Sequence, residues 1–312
     1  MFRAFTLAAA AATLLVAVLG SWVRINGAGM SCPDWPLCHH ALVPLLDGAV
    51  VLEWSHRLLA VVDAVLVVGA LWTGWRARNR VAGIGPILAF ITAVFALQVA
   101  LGGLTVALAN SPWSVVVHWG TAMLLLGGLT ALALLAVVEP RELRLGRSVL
   151  GSILGACAGL AFLTMLAGSY VSSSGASLAC TTLPACDGSW IGTLPGQIAQ
   201  MAHRLIAGAF FVVASIAAYG ATQGSTPRVR AAALTGYALV VVQIVLGLAN
   251  VAWSLPLVLR EAHAANACAT FLAFVAALTF AAIDGTVPLA EARFERVRMP
   301  AETRVPAEGS AG

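Results

Sequence analysis

Eight apolar runs of roughly 20 residues constrain the fold of this sequence more than any other feature. They lie at 4–23, 51–74, 84–108, 114–138, 149–170, 197–221, 232–252 and 258–283. Each is long enough to cross a ~30 Å hydrocarbon core as a helix, and membrane barrels instead show short alternating segments. Only 10% of the 312 residues are charged, against about 25% in ordinary globular domains. The sequence therefore predicts an all-α polytopic membrane protein with eight transmembrane helices.

The basic residues predict how the chain is oriented in the membrane. All 17 are arginines, and most stand in small groups between apolar runs: Arg76, Arg78 and Arg80; Arg141, Arg144 and Arg147; Arg228 and Arg230; Arg293, Arg296 and Arg298. The positive-inside rule assigns these groups to the cytoplasm. Both termini are then cytoplasmic in a cell-membrane protein, the long segments 24–50 and 171–196 lie outside, and the tail 285–312 is expected to be disordered. Nucleic acid is not an expected partner, because binding it requires a basic patch.

An internal repeat divides the chain into an N-terminal half, 1–145, and a C-terminal half, 146–284. Corresponding motifs are offset by 145 to 148 residues: Gly20-Ser21-Trp22-Val23 with Gly168-Ser169-Tyr170-Val171, Cys32 and Cys38 with Cys180 and Cys186, Glu53 to Arg57 with Gln200 to Arg204, Gln98 to Gly102 with Gln243 to Gly247, and His118 with His263. Because each half has four spans, both enter the membrane in the same direction. The repeat predicts two tandem four-helix bundles related by a pseudo-two-fold axis along the membrane normal.

Four of the six histidines occupy repeat-related places at the outer ends of even-numbered spans. These are His56, His118, His203 and His263, whereas His39 and His40 fall in the first outer loop and are expected to be solvated. Two imidazoles on facing helices of a four-helix bundle are typical of bis-histidine ligation of a haem iron. Zinc, which favours four ligands, and a purely structural role for the histidines are the alternatives.

Charged neighbours of these histidines are candidate site residues. Arg57 and Arg204 follow two of them and are placed to bind haem propionates bidentately, as are Arg24 and Arg260; the alternative is snorkelling at the interface. Glu53 lies one helical turn before His56, and its counterpart is Gln200, which cannot ionise. This asymmetry predicts one reactive pocket and one electron-transfer or structural pocket. A helix start favoured by the dipole is the other interpretation of Glu53.

Other polar residues in the spans are less informative. Asp63, whose counterpart is Phe210, is expected to be buried, with its role left open. Gln98 and Gln243 are expected to form hydrogen bonds between helices.

Two cysteine pairs, Cys32 with Cys38 and Cys180 with Cys186, share the same spacing in the two outer segments. Disulfides persist on the oxidising side of the membrane, so each pair is expected to close a structural loop. For the first pair, a cycle between thiol and disulfide near the carboxylate-bearing pocket is the alternative. Cys157 and Cys268 lie inside apolar runs and are expected to be packing residues.

Over residues 4–283 the chain resembles the haem A synthases. The resemblance rests on the duplicated eight-span plan and on these segments: Arg24-Ile25-Asn26-Gly27-Ala28-Gly29 with Cys32 to Cys38, Glu53-x-x-His56-Arg57, His118, Ala202-His203-Arg204 and His263. The cysteine pair of the first half is typical of bacterial, cysteine-containing members. One departure is that the second loop lacks a counterpart of Asp34-Trp35-Pro36.

The resemblance implies an oxidoreductase that oxidises a methyl group of haem O to a formyl group, giving haem A for terminal oxidases. It implies that His56 and His118 bind the iron of the substrate haem, and that His203 and His263 bind a resident haem b. Glu53 is then a candidate base. A haem O synthase is the expected supplier, and the electron partner and any homo-oligomer are left open. The alternatives are a non-catalytic bis-histidine dihaem cytochrome and a haem-transfer protein.

Overall fold

The computed structural model of this chain describes residues 1–45, 47–81, 83–140, 143 and 148–284. Among these residues the chain forms eight helices long and apolar enough to cross a membrane, and no β-strand. They are α1 (Phe2–Ile25), α2 (Gly48–Ala77), α3 (Ile84–Ala107), α4 (Pro112–Val138), α5 (Val149–Ser173), α6 (Pro195–Gly224), α7 (Pro227–Ala252) and α8 (Leu257–Asp284). The predicted all-α polytopic architecture is confirmed. The arginines at 141–147 and the tail 285–312 lie outside the described residues.

The helices extend beyond the predicted apolar runs where polar residues still permit a helix. The largest difference is at α7, which begins at Pro227, five residues before the predicted start at 232. Thr226 caps this end by accepting the N–H of Val229, and proline suits the first helical turn because its missing N–H is not needed there. Arg228 and Arg230 lie in that turn, so the apolar pattern alone could not include it.

The helix contacts follow the repeat. In the first half α1 packs against α2 and α3 against α4, and in the second half α5 packs against α6 and α7 against α8. Weaker contacts join α2 to α3 and α6 to α7, and further contacts join α1, α4, α5 and α8 at the centre, where the halves meet. This arrangement favours the interpretation as two four-helix bundles related by a pseudo-two-fold axis.

Repeat-related hydrogen bonds join neighbouring helices inside the spans. The Thr121 hydroxyl donates to Gln98 between α4 and α3, and at the equivalent place Asn266 donates to Gln243 (2.6 Å) between α8 and α7. The expected role of the two glutamines in binding helices together is therefore confirmed. Such bonds stabilise helix pairs that have no hydrophobic driving force between them in lipid.

Both long connections lie at one end of the bundle. We call residues 26–47 loop 1, residues 174–194 loop 2, and this end of the bundle the loop end. At the opposite end of α2, Arg76 and Arg78 stack on Trp72 and Trp75, at 4.0 and 5.8 Å from the ring centroids. Tryptophan beside arginine at a helix end is typical of a membrane–water interface.

Candidate functional site

The four span histidines lie about two helical turns from the loop end of their helices and are grouped in two pairs. His118 on α4 is within electrostatic range of His56 on α2, and His263 on α8 is within range of His203 on α6. All four side chains are half-buried. We call the first pair with its surroundings pocket 1 and the second pair pocket 2. The pairing is the one that the sequence predicts.

The four histidine rings have their Nδ1 edges inside the protein. The Nδ1 atoms of His56, His118 and His263 are buried without a hydrogen-bond partner, and that of His203 lies 3.1 Å from the Thr164 carbonyl oxygen. None of the four Nε2 atoms is among the buried unpaired ones. A half-buried imidazole with its Nδ1 edge inside leaves Nε2 as the nitrogen that could bind a metal.

Each of these rings packs against a glycine of the preceding helix. A Cβ atom built on Gly20 would lie 2.8 Å from Cε1 of His56, and one on Gly168 would lie 3.0 Å from Cε1 of His203. The corresponding distances are 3.6 Å for Gly102 and His118, and 3.3 Å for Gly247 and His263. The first two positions exclude any side chain unless the ring moves. The backbone of α1 and α5 therefore sets the place of two histidine rings.

Glu53 and Gln200 hold the two loops in the same way. The Glu53 carboxylate is buried and accepts the backbone N–H of Cys32 (2.8 Å) and the hydroxyl of Ser31 (3.0 Å). Gln200 is equally buried, and its side-chain oxygen accepts the N–H of Cys180 at 2.6 Å. Their other contacts differ, because Gln200 donates to the Ser177 carbonyl at 2.9 Å, whereas Glu53 forms an ion pair with Arg57 at 2.7 Å.

Arg57 and Arg204 donate to loop carbonyl groups. Arg57 reaches the carbonyl oxygens of Cys32 (2.8 Å), Asp34 and Leu37 (both 2.5 Å) in loop 1. Arg204 reaches the equivalent carbonyls of Cys180 (2.7 Å) and Thr182 (2.8 Å) in loop 2, and also that of Pro184 (3.2 Å). The geometry thus gives both guanidinium groups a role in anchoring the loops, and their predicted binding of propionates stays a prediction.

Each loop is closed by a disulfide, as expected. Cys32 and Cys38 have Cα atoms 4.7 Å apart, those of Cys180 and Cys186 are 4.9 Å apart, and all four side chains are at most 1% exposed. The bridges are therefore shielded from solvent thiols. Cys157 and Cys268 are buried and unbridged, as expected of packing residues.

The two loops share their backbone despite different sequences. Asp34 accepts the N–H groups of His39 (2.7 Å) and His40 (2.8 Å), and Thr182 accepts that of Asp187 at 2.8 Å in the equivalent position. Desolvation opposes ionisation of Asp34, but the N–H groups of His40 and His39 hold the pKa of its carboxyl below the usual value. The segment that begins at Asp34 therefore forms the same kind of turn as the equivalent segment of loop 2. His39 and His40 are exposed, as predicted.

Asp63 lies deeper in the bundle than pocket 1. Its carboxylate is buried and accepts the hydroxyl of Thr13, with the shorter distance 2.9 Å, so it joins α2 to α1. Asp63 is not in the loop-anchoring network of Glu53. The structure gives it a role between helices, which the sequence left open.

Three features of the site were not inferred from the sequence. These are the packing of histidine on glycine, the anchoring of the loops by Glu53 and Gln200, and the arginine contacts to loop carbonyls. The signal for the first was present, because Gly20, Gly168, Gly102 and Gly247 belong to the repeat motifs. Among the described residues no three His, Cys, Asp or Glu side chains come together as metal ligands. The donor set therefore suits a two-histidine haem better than a four-ligand zinc site.

Comparison with known proteins gives a consistent family. The cytochrome oxidase assembly protein family COX15-CtaA matches residues 3–51 and 48–275. The heme A synthase of Bacillus pumilus is 30% identical over 220 residues, which cover 67% of this chain and 71% of that protein. The heme A synthase of Bacillus licheniformis is 29% identical over 81% of this chain and 87% of its own length. That of Symbiobacterium thermophilum is 33% identical over 65% of this chain and 70% of its own.

Proposed function

This chain belongs to the COX15-CtaA family of cytochrome oxidase assembly proteins, and from that premise we propose that it makes haem A from haem O in the cell membrane. The observation that carries the proposal is that four histidines form two repeat-related pairs, and that each of their rings packs on a glycine. In a bundle of eight helices, this arrangement suits two flat porphyrins held between helices.

We assign different tasks to the two pockets. Pocket 1 holds the substrate haem O at His56 and His118, and pocket 2 holds a resident haem b at His203 and His263. The reason for this order is Glu53, the carboxylate that pocket 2 replaces by Gln200. A resident haem b would supply one-electron chemistry when bound. The reaction that we propose is oxidation of a porphyrin methyl group to a formyl group, which makes the protein an oxidoreductase.

Glu53 has a defined part in this proposal. Its carboxylate is held by Cys32, Ser31 and Arg57 one helical turn from His56. Removing protons from a methyl group, or from the water that replaces them, requires a base near the rim of the porphyrin. We propose that Glu53 accepts such a proton, while its hydrogen bonds also fix loop 1 over pocket 1.

The proposal includes a membrane orientation, which follows from the groups of arginines between the spans. Both termini lie in the cytoplasm and the loop end lies outside, where the two disulfides persist. We propose that a haem O synthase delivers the substrate and that an external electron partner is required.

The experiment that tests this function is mass analysis of the haems extracted from cells expressing the protein with and without a haem O source. Haem A is expected only with that source, alongside haem b in both cases. Haem b alone in both would support a dihaem cytochrome. Unchanged haem O that is bound and readily released would support a haem-transfer protein. Either of these results would contradict the proposal.

Replacing Gly168 by Ala is expected to disturb the resident haem. The added Cβ atom falls 3.0 Å from Cε1 of His203, and a ring fixed by an iron has no freedom to move away. The reduced spectrum of haem b should change, or its content should fall. The matched control is Gly159→Ala, also on α5, where a Cβ atom meets nothing within 4 Å. Identical spectra for the two variants would show that the glycine does not position His203.

Replacing Cys180 and Cys186 by Ser is expected to affect stability alone. A short loop closes little chain entropy, so the loss should be about 2 kcal/mol, and folded protein should retain its turnover. For Cys32 and Cys38 we expect a partial loss of turnover, since Glu53 binds the N–H of Cys32. Thermal unfolding and haem A yield measure the two effects. A double variant of the second pair that folds normally but produces no haem A would contradict this assignment.

A further inference from the structure

Two arginines meet at the loop end of the seam where α1 of the first half packs against α8 of the second. Arg24 on α1 and Arg260 on α8 lie within electrostatic range, and their like charges repel. Arg24 donates to the Ser172 hydroxyl at 2.7 Å, and Arg260 makes only a long contact of 3.4 Å with the Ile25 carbonyl. A guanidinium group carries five N–H donors. Among the described residues, most donors of this pair are therefore unused. We call it the arginine pair.

Each arginine of the arginine pair lies on the loop-end side of one pocket. Arg24 lies four residues after Gly20, the residue that contacts His56, so it shares that face of α1 one turn nearer the loop end. Arg260 lies three residues before His263 and shares its face of α8 in the same way. Arg24 is thus one turn, about 5 Å, nearer the loop end than the glycine that contacts His56 in pocket 1. Arg260 is one turn nearer the loop end than His263 in pocket 2.

The nearest carboxylate does not neutralise the arginine pair. Glu261 on α8 lies near Arg24 and Ser21, yet it forms no ion pair with either arginine among the described residues. Two half-buried like charges without an ion-pair partner are unfavourable. A bound anion would remove that cost.

Helix packing does not require cations here. At the equivalent seam between α5 and α4, the counterparts of Arg24 and Arg260 are Ser172 and Val115, and this seam instead carries Trp113 against Tyr170, with ring centroids 4.7 Å apart. Arg57 and Arg204, the other arginines near the pockets, are occupied by loop carbonyls. Within the part of the chain that the structure describes, Arg24 and Arg260 are therefore the arginines of the loop end with the fewest hydrogen bonds to loop carbonyls.

We propose that the arginine pair binds haem propionates, Arg24 those of the substrate haem in pocket 1 and Arg260 those of the resident haem in pocket 2. The inference rests on the proposed function. Arginine suits carboxylates because its planar fork matches two oxygen atoms. Charged propionates at the loop end would also keep each porphyrin oriented with its apolar edge toward the membrane interior.

For pocket 2 the test is loss of haem from the purified holoprotein to excess apomyoglobin, together with the propionate bending mode in the resonance Raman spectrum. Arg260→Gln is expected to lose haem b on the order of tenfold faster and to shift that mode. Arg260→Lys, which keeps the charge, should lie between this variant and the wild type. Ser172→Ala, which removes only a neutral partner of Arg24, should leave both readings of haem b unchanged.

For pocket 1 the test is binding of haem O and of its dimethyl ester to the holoprotein, followed by absorbance. Wild-type protein should bind the free acid on the order of tenfold more tightly than the ester, and Arg24→Gln should show no preference. Equal binding of acid and ester by the wild type would overturn the inference and leave the proposed function intact. No binding of any haem would contradict the proposed function itself. The inference would also be overturned by variants that still prefer the free acid of haem O to its ester but lose co-purified anionic lipid. The arginine pair would then bind lipid phosphates.

Discussion

Glu53→Gln is expected to reduce haem A production by about 10²-fold or more, the usual scale for loss of a general base, while folding and haem b content are preserved. The structure supplies the reason why folding should survive. Gln200 already holds loop 2 through the same kind of bond, with its side-chain oxygen 2.6 Å from the N–H of Cys180. A glutamine at position 53 is therefore able to accept the N–H of Cys32, but it cannot accept a proton.

Two control variants distinguish a role of Glu53 as a base from a role in anchoring loop 1. Arg57→Gln removes the ion pair and the donors to the loop carbonyls but keeps the carboxylate, so it weakens the anchoring of loop 1 while the base is still present. Gln200→Glu should not create a second reactive pocket. Haem A yield and thermal unfolding are measured for each variant. A normal yield from Glu53→Gln would mean that the carboxylate only holds loop 1, and the proposed mechanism would be wrong.

Replacing His203 or His263 by Ala is expected to remove or severely disturb the resident haem b. The wild type should show the reduced spectrum of a six-coordinate low-spin b-type haem, because His203 and His263 would supply two imidazole ligands to its iron. With an alanine at either position, the haem would have only one histidine ligand or would not be retained by the protein. Pyridine haemochrome analysis and the reduced spectrum of the purified variants measure the effect.

His39→Ala is the matched control for the histidine variants. This side chain is exposed, its ring nitrogen contacts the Ser31 carbonyl at 2.9 Å, and it lies outside both pockets. Haem b content should therefore be unchanged. Equal haem content in the His203, His263 and His39 variants would remove the assignment of pocket 2.

The fold was predictable because lipid imposes a simple requirement on the chain. All eight spans follow from continuous apolar runs, since only helices satisfy their backbone groups within such runs. The start of α7 was misplaced because Arg228 and Arg230 extend the helix into the interface, where charge is tolerated. The histidine pairing was predictable for another reason, namely that the repeat marks equivalent places in both halves.

The partners of the polar side chains were not predictable in the same way. Arg57 is adjacent to His56 in sequence, but its guanidinium turns to loop 1, whose carbonyls converge on it only after the disulfide loop has folded. Glu53 likewise reaches the N–H of Cys32, 21 residues away along the chain. Such contacts depend on loop geometry, which has no periodic signal in the sequence.

The most direct test of the account is to add haem O to the purified, haem b-loaded protein with an electron acceptor and to analyse the extracted haems by mass. We predict that haem O is consumed, that haem A appears, and that the amount of haem b is unchanged, because one pocket reacts and the other retains its haem. Haem O that remains unaltered although it is bound, or haem b that is itself modified, would contradict the division of tasks between the two pockets.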